Sequence, residues 1–145
     1  MTDCTHDMAC PFPAAAFIPH EKPMLAIEEV LAYSPTSGAV RLTVPAEAWF
    51  VRADGSWDPI SGIEMMAQAA AAHERLTRPH PGSGPVKGLL VGVRKYTVKG
   101  RARVGDVLAI HAIRTADFGN FAIMEGRILR GEECLAEAEL KFWHE

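Results

Sequence analysis

An excess of charge of either sign is absent from this sequence: 15 Lys and Arg stand against 18 Asp and Glu, a formal net charge of -3. Without a basic excess the chain has no electrostatic footprint for nucleic acid or an anionic membrane, and neither partner is expected. Cysteine is scarce. Cys4, Cys10 and Cys134 are an odd count with no CxxC spacing, which argues against a disulfide scaffold or a zinc site and suits a reducing cytoplasm. No stretch is apolar enough to span a bilayer. The first residues, Met1 to Asp7, carry acids and show neither the basic leader nor the apolar core of a signal peptide. Internal repeats and low-complexity runs are also missing. Over 145 residues this leaves the composition of an ordinary globular protein, long enough for one domain with a substantial core.

What is present is one long apolar helix. Asp58 suits an N-cap, Pro59 the first helical position, and the run from Ile60 through Ala72 to Leu76 has high helix propensity over about five turns. Its apolar residues point in nearly every direction, which predicts burial on most sides. Glu64 and Gln68 interrupt that pattern. At i and i+4 they share a face, so a carboxylate and an amide lie one turn apart in an apolar wrapper. A buried carboxylate needs a partner or a purpose.

Around the helix the chain reads as strands and turns. Residues 1–16 show neither helical nor strand period and are expected to form a flexible arm, with 17–145 as a single domain. His6, Cys4 and Cys10 in that arm read as incidental residues and not as a metal site, which needs fixed geometry. Phe17 to Met24, with Pro19 and Pro23, is a stiff extended lead-in; His20 within it is either a hydrogen-bonding brace or a ligand-facing group. Leu25 to Tyr33, a strand by composition with a short helix as the competing reading, and Ala39 to Val44 are read as a hairpin closed by Ser34-Pro35-Thr36-Ser37-Gly38. A loop from Pro45 to Trp57 carries Trp49, Phe50 and Trp57 and is expected to pack down on a pocket wall or subunit contact. After the helix, which ends before Pro79, come strands over Val86 to Val98, Val107 to Arg114, Phe121 to Arg130, and a last one in which Ala136, Ala138, Leu140 and Phe142 alternate with Glu137, Glu139 and Lys141.

With no second helix to pair with, the apolar helix must be buried against the sheet. The expected fold is therefore α+β, a central α-helix wrapped by a twisted antiparallel β-sheet. One helix leaves sheet edges open, so a dimer with a continued sheet is the natural completion.

Four motifs in this order resemble the hot-dog fold of 3-hydroxyacyl-[acyl-carrier-protein] dehydratases, and most closely the dehydratase-like proteins of aryl polyene clusters. They are Pro19-His20-Glu21-Lys22-Pro23-Met24-Leu25, Ile63-Glu64-Met65-Met66-Ala67-Gln68, Leu90-Val91-Gly92-Val93-Arg94-Lys95, and Val104-Gly105-Asp106. The resemblance spans Phe17 to Trp143. It implies that Glu64 is the catalytic acid, contributed across a dimer interface to a histidine of the neighbouring chain. By the same likeness Gln68 orients Glu64, and Gly92 lets an acyl chain approach the strand backbone. Gly62, Asp58 and Trp57 are the remaining candidates for substrate binding. The implied substrate is a thioester on an acyl carrier protein or coenzyme A, and the implied reaction is loss of water to the trans-2-enoyl product. That reaction needs a base for the α-proton, an acid for the leaving hydroxyl and an N–H dipole on the thioester oxygen. No metal or organic cofactor is implied.

The chain departs from that family in the loop before the helix. Where the family has His-Phe-Pro-Gly, this chain reads Trp49-Phe50-Val51-Arg52-Ala53-Asp54-Gly55, and no histidine lies between His20 and His73. The glycine whose N–H would polarise the thioester aligns with Pro59, which has none, unless a small shift brings Ile60, Ser61 or Gly62 into that role. His73, nine residues beyond Glu64, lies half a turn round and about 13 Å along the helix, and is read as a helix-end residue. His20, Asp54 and Asp58 are the possible stand-ins. Three functions follow as expectations: a dehydratase, a degenerate partner subunit of an intact dehydratase in a homo- or heterodimer, or an acyl thioesterase.

Overall fold

The computed structural model describes residues 10–18, 24–77 and 88–144. Among these residues there is one α-helix, α1, over Ser61–Thr77. It begins two residues later than the capping pattern suggests, because Asp58 builds a turn ahead of it: the Asp58 carbonyl accepts from the Ser61 N–H at 2.9 Å and the Ser61 hydroxyl at 2.6 Å. Met65, Met66, Ala69, Ala70 and Ala72 are all buried, as an all-round apolar helix requires.

Seven strands form one antiparallel sheet around it: β1 Phe12–Pro13, β2 Glu29–Tyr33, β3 Ser37–Thr43, β4 Gly88–Val98, β5 Val107–Phe118, β6 Phe121–Arg130 and β7 Glu133–His144. Their order across the sheet is β1-β2-β3-β5-β6-β7-β4. Leu108, Ile110, Ala112, Met124, Ile128, Ala136 and Leu140 line the face toward α1, each one residue away from an outward neighbour. The helix comes close because β6 carries Gly126 there; a Cβ at that position would meet Met66 Sδ at 2.7 Å.

The expected α+β arrangement is therefore present, with four differences in detail. β2 starts at Glu29 and not Leu25, since the backbone of 24–27 finds its partners on a side chain of α1, described below. β5 runs to Phe118, because Ala116, Asp117 and Phe118 pair with Ile123, Ala122 and Phe121 across a turn in which Gly119 takes φ 59°. Part of the segment read as a flexible arm is ordered: Phe12–Pro13 pairs with β2, a 3-10 turn follows over Ala14–Phe17, and Ala14 is fully buried. Cys10 is disulfide-bonded, where the cysteine count and spacing argued against a disulfide scaffold, and Cys134 is free.

His73 does not behave as a helix-end residue. It is 2% exposed, and its Nε2–H donates to the Ser34 carbonyl at 2.8 Å, bracing the β2–β3 turn against α1. The long edge strand β4 is the opposite case. Leu89, Leu90, Val91 and Val93 are all exposed along it, an apolar free edge of the kind that recruits another chain. No helix among the described residues is long and apolar enough to cross a membrane.

Candidate functional site

Glu64 and Gln68 meet as their spacing predicts, with Gln68 Nε2 donating to Glu64 Oε1 at 3.1 Å. Glu64 is half-buried, whereas Gln68 has no exposed surface. Gln68 makes three further bonds. Its Nε2 also donates to the Met24 carbonyl at 2.8 Å, and its Oε1 accepts from the Ala26 N–H at 2.8 Å and, more weakly, the Ile27 N–H at 3.4 Å. One buried amide thus joins a carboxylate to an extended segment that belongs to no strand.

Just ahead of α1 the loop is closed on itself. Phe50 and Trp57 are buried, and the Trp57 indole N–H has no acceptor among the described residues; Trp57 is a core residue beneath the helix start. Asp58 Oδ1 accepts from the Ile60 N–H at 3.1 Å and lies 3.7 Å from Arg52. The Ser61 N–H is taken by the Asp58 carbonyl, the Gly62 N–H by Pro59 at 3.3 Å, and the Ile63 N–H by Ile60 at 3.3 Å. The donors that a register shift could have offered to a thioester oxygen are therefore engaged within the chain. Asp54 is likewise engaged, accepting from both the hydroxyl and the N–H of Ser56. These bonds hold its carboxyl below the usual carboxylate range, which weakens it as a base.

Gly62 serves packing. A Cβ there would collide with the hydroxyl of Tyr96, which reaches in from β4 and donates to the Pro59 carbonyl. Burial, with the Asp58 charge second, pushes the Tyr96 phenol up to about 12, so it remains a donor. Sequence reasoning overlooked Tyr96 because strand alternation assigns it to the wrong face. The register slips between Arg94 and Thr97, with Lys95 at φ 54°, and only that bulge turns Tyr96 inward.

Gly92 differs from Gly62. On the exposed edge strand its Cβ would meet Lys141 Cβ at 3.7 Å, an ordinary contact, so nothing within the chain requires a glycine. His20 lies outside the described residues. A cavity of about 360 Å³ between β4, β6 and β7, lined by Lys95, Thr97, Glu125, Arg127, Glu137 and Glu139, includes none of the candidate residues. Among the described residues no group of His, Cys, Asp and Glu could hold a metal ion.

One helix embraced by a single antiparallel sheet makes this a hot-dog protein, and the sequence match places it in the dehydratase-like class. The sequence matches the ApeP-like family, described as ApeP dehydratase, over residues 12–145, and the chain belongs to that family. No curated protein sequence matches it. The structure is similar to the dehydratase heterocomplex ApeI:P from Xenorhabdus doucetiae, at TM-score 0.83 and 26% identity, covering 92% of this chain and 91% of that one. It also shares its fold with a hypothetical thioesterase from Streptococcus pneumoniae solved with coenzyme A (TM-score 0.65, 13% identity, 81% and 84% covered). The PaaI protein of the Escherichia coli phenylacetic acid degradation operon is a third such structure (TM-score 0.65, 12% identity, 80% and 78% covered).

Proposed function

We propose that this chain lends Glu64 as the acid/base carboxylate of a 3-hydroxyacyl-thioester dehydratase site that a second hot-dog subunit completes. The observation that carries this reading is an imbalance within the site. Glu64 is held ready by Gln68, while the loop that should bring the histidine and an N–H dipole has no histidine and its N–H groups are already bonded. In the proposed reaction the partner's base takes the α-proton, the C3–O bond breaks, and Glu64 protonates the departing hydroxyl, giving the trans-2-enoyl thioester and water. The exposed apolar edge of β4 is the surface on which the second sheet would continue, and Gly92 on that edge is where a thioester acyl chain would pass close to the backbone. The heterocomplex found for the Xenorhabdus doucetiae structure supports a heterodimer over a homodimer. Carrier-protein substrates of aryl polyene type, handled in the cytoplasm, fit the family.

The test is dehydration of a 3-hydroxyacyl-carrier-protein substrate by this chain alone and after co-purification with a histidine-bearing hot-dog protein. Activity is expected only in the complex. Glu64→Ala in this chain should lower it about 1,000-fold, within the range for losing a general acid, without preventing assembly. Full activity of the lone chain, or an unchanged rate after Glu64→Ala, contradicts the proposal. Release of free carrier thiol without enoyl product points to a thioesterase.

A further inference from the structure

The sheet face turned away from α1 is apolar at one end. In register across four strands, Leu89 pairs with Trp143, Trp143 with Phe121, and Phe121 with Phe118, so their side chains form one row on one face. That face is the outer one, since Ala122, next along β6, points inward and is buried. Leu89 and Phe118 are 60% and 61% exposed and Phe121 36%, with Trp143 half-buried between Leu89 and Phe121. A hairpin tip would ordinarily fray, but the β5–β6 tip is held. Asn120 Nδ2 donates to the His144 carbonyl at 2.9 Å, and the Asn120 carbonyl accepts from the His144 N–H at 2.8 Å. The row is thus contiguous, exposed and preorganised, the properties of a contact surface and not of scattered surface residues.

Two charges beside the row say what fits it. Further along the same face Lys141 lies opposite Ile123, and Glu125 lies opposite Glu139. Carboxylates set opposite each other repel, and Arg94, 3.4 Å from Glu139, answers only one of them. Lys141 is diagonal to Glu125 and long enough to reach it. Its Nζ instead sits 4.7 Å from the centre of the Phe121 ring, and among the described residues no ion pair involves Lys141 or Glu125. An exposed cation and an exposed anion side by side at the margin of an apolar row make a surface complementary to itself. Under a two-fold axis a second copy sets its Glu125 against Lys141 and its Lys141 against Glu125, with one apolar row upon the other. A partner that presents charge of one sign matches only half of that pair. We propose that this outer face is a two-fold contact between two copies of this chain, with Leu89, Trp143, Phe121 and Phe118 at its centre and Lys141–Glu125 ion pairs on its rim. The contact is separate from the β4 edge and does not depend on the proposed function. Joined to a second hot-dog subunit along that edge, it gives a four-chain assembly in which two copies of this chain stand back to back.

Sedimentation equilibrium of the full-length chain tests the contact by charge exchange. The wild type should form a dimer. Glu125→Lys makes both rim pairs like-charged, as does Lys141→Glu, and each variant should show a dimer Kd raised at least about thirtyfold. Mixed in equal amounts, the two variants should associate with a Kd near the wild-type value, because every rim pair of the mixed dimer again joins opposite charges. Phe118→Ser should also raise Kd at least about thirtyfold, and mixing it with either charge variant should restore nothing. All three side chains are exposed, so circular dichroism should report wild-type folding in each variant. Val91→Lys, which blocks the β4 edge with a charge, should leave the dimer intact. A wild type that stays monomeric at about 100 µM overturns the proposal, as does a dimer that withstands the single charge reversals. A mixture that associates no better than its components overturns the two-fold pairing. A dimer lost in Val91→Lys but not in Phe118→Ser is an edge contact, and it too overturns the proposal.

Discussion

In its first half α1 carries Glu64 and Gln68, which bond to each other and to an irregular stretch of backbone. About two and a half turns further on it carries His73 and Glu74, which bond outward to the hairpin carbonyl of Ser34 and to Arg114 on β5. Both ends bury polar groups in an apolar helix, but their partners differ in kind. At the far end the partners sit in a turn and a strand that the sheet already holds, so those bonds brace elements which exist without them. At the near end the Gln68 amide takes the place of a strand for residues 24–27. The first arrangement is a repair of buried polarity; the second leaves a carboxylate aimed by the chain. Each end should accordingly fail in its own way when broken.

The largest effect is expected from Arg114→Leu. The Arg114 and Glu74 side chains are 19% and 18% exposed, so removal of the cation takes one countercharge from a mostly buried carboxylate. Chemical denaturation should show a loss of about 3 kcal/mol. Hydrogen exchange at Ala26 and Ile27, and the dehydration rate of the proposed complex, should stay near wild type under conditions where the variant is folded. Replacing Glu74 as well, in Glu74→Leu/Arg114→Leu, should recover part of the loss, because the stranded charge goes with its partner. Loss of protection at Ala26 in Arg114→Leu would mean that the two ends are not independent.

His73 gives the far end a pH dependence. Burial, aided by Arg114, depresses its basicity below the ordinary histidine value of 6.5, against the opposing pull of the Ser34 carbonyl and Glu74. Below pH 6.5 the unfolded chain therefore binds a proton that the folded chain resists, and stability falls as the pH drops toward the folded-state value. Above 6.5 the ring is neutral in both states and contributes its full stability. The slope from this one group is at most about 1.4 kcal/mol per pH unit. His111 on β5 is shifted in the same direction, mainly by burial. The measurement is thus the difference between wild type and His73→Gln, from which His111 cancels, followed by denaturation from pH 5 to 8. A difference that does not change across pH 6.5 would show that His73 is not excluded from protonation by its site.

The contrast between the two ends also marks how far the sequence could be read. The helix, the Glu64–Gln68 spacing and the alternation in β7 are local periodicities, and local periodicity survives folding because it is set by the geometry of a single element. Residues 25–27 look like strand for the same reason, but whether a strand-like stretch pairs with a strand, as Glu28 does with Arg41, or with a glutamine is decided by the other side of the fold. Tyr96 was invisible because a bulge at Lys95 breaks the period of two, and His73 because a helix position does not reveal which turn lies against it. The missing histidine was legible as an absence. The consumption of the Ile60, Ser61 and Gly62 N–H groups was not, since it depends on the turn that Asp58 closes.

The smallest predicted effect lies at the start of α1. Tyr96 donates to the Pro59 carbonyl, which also accepts the Gly62 N–H, so Tyr96→Phe does not leave that oxygen unpaired. Its cost should be about 1 kcal/mol or less, the net worth of one neutral hydrogen bond. With the phenol raised to about 12, this cost should stay constant from pH 6 to 9. The same hydroxyl is what forbids a side chain at Gly62, where the Tyr96 Cζ and Ile128 Cδ1 would stand at 3.3 and 3.2 Å from a new Cβ. Gly62→Ala should therefore be much less harmful in the Tyr96→Phe background than in the wild type. A double-mutant cycle should return a favourable coupling of at least about 0.5 kcal/mol between the two replacements, as expected for residues in contact. Strict additivity would mean that Tyr96 yields to the methyl group. The helix start would then be a softer platform for Glu64 than the braced far end, where Gly38 sits 3.2 Å from His73 by the same measure.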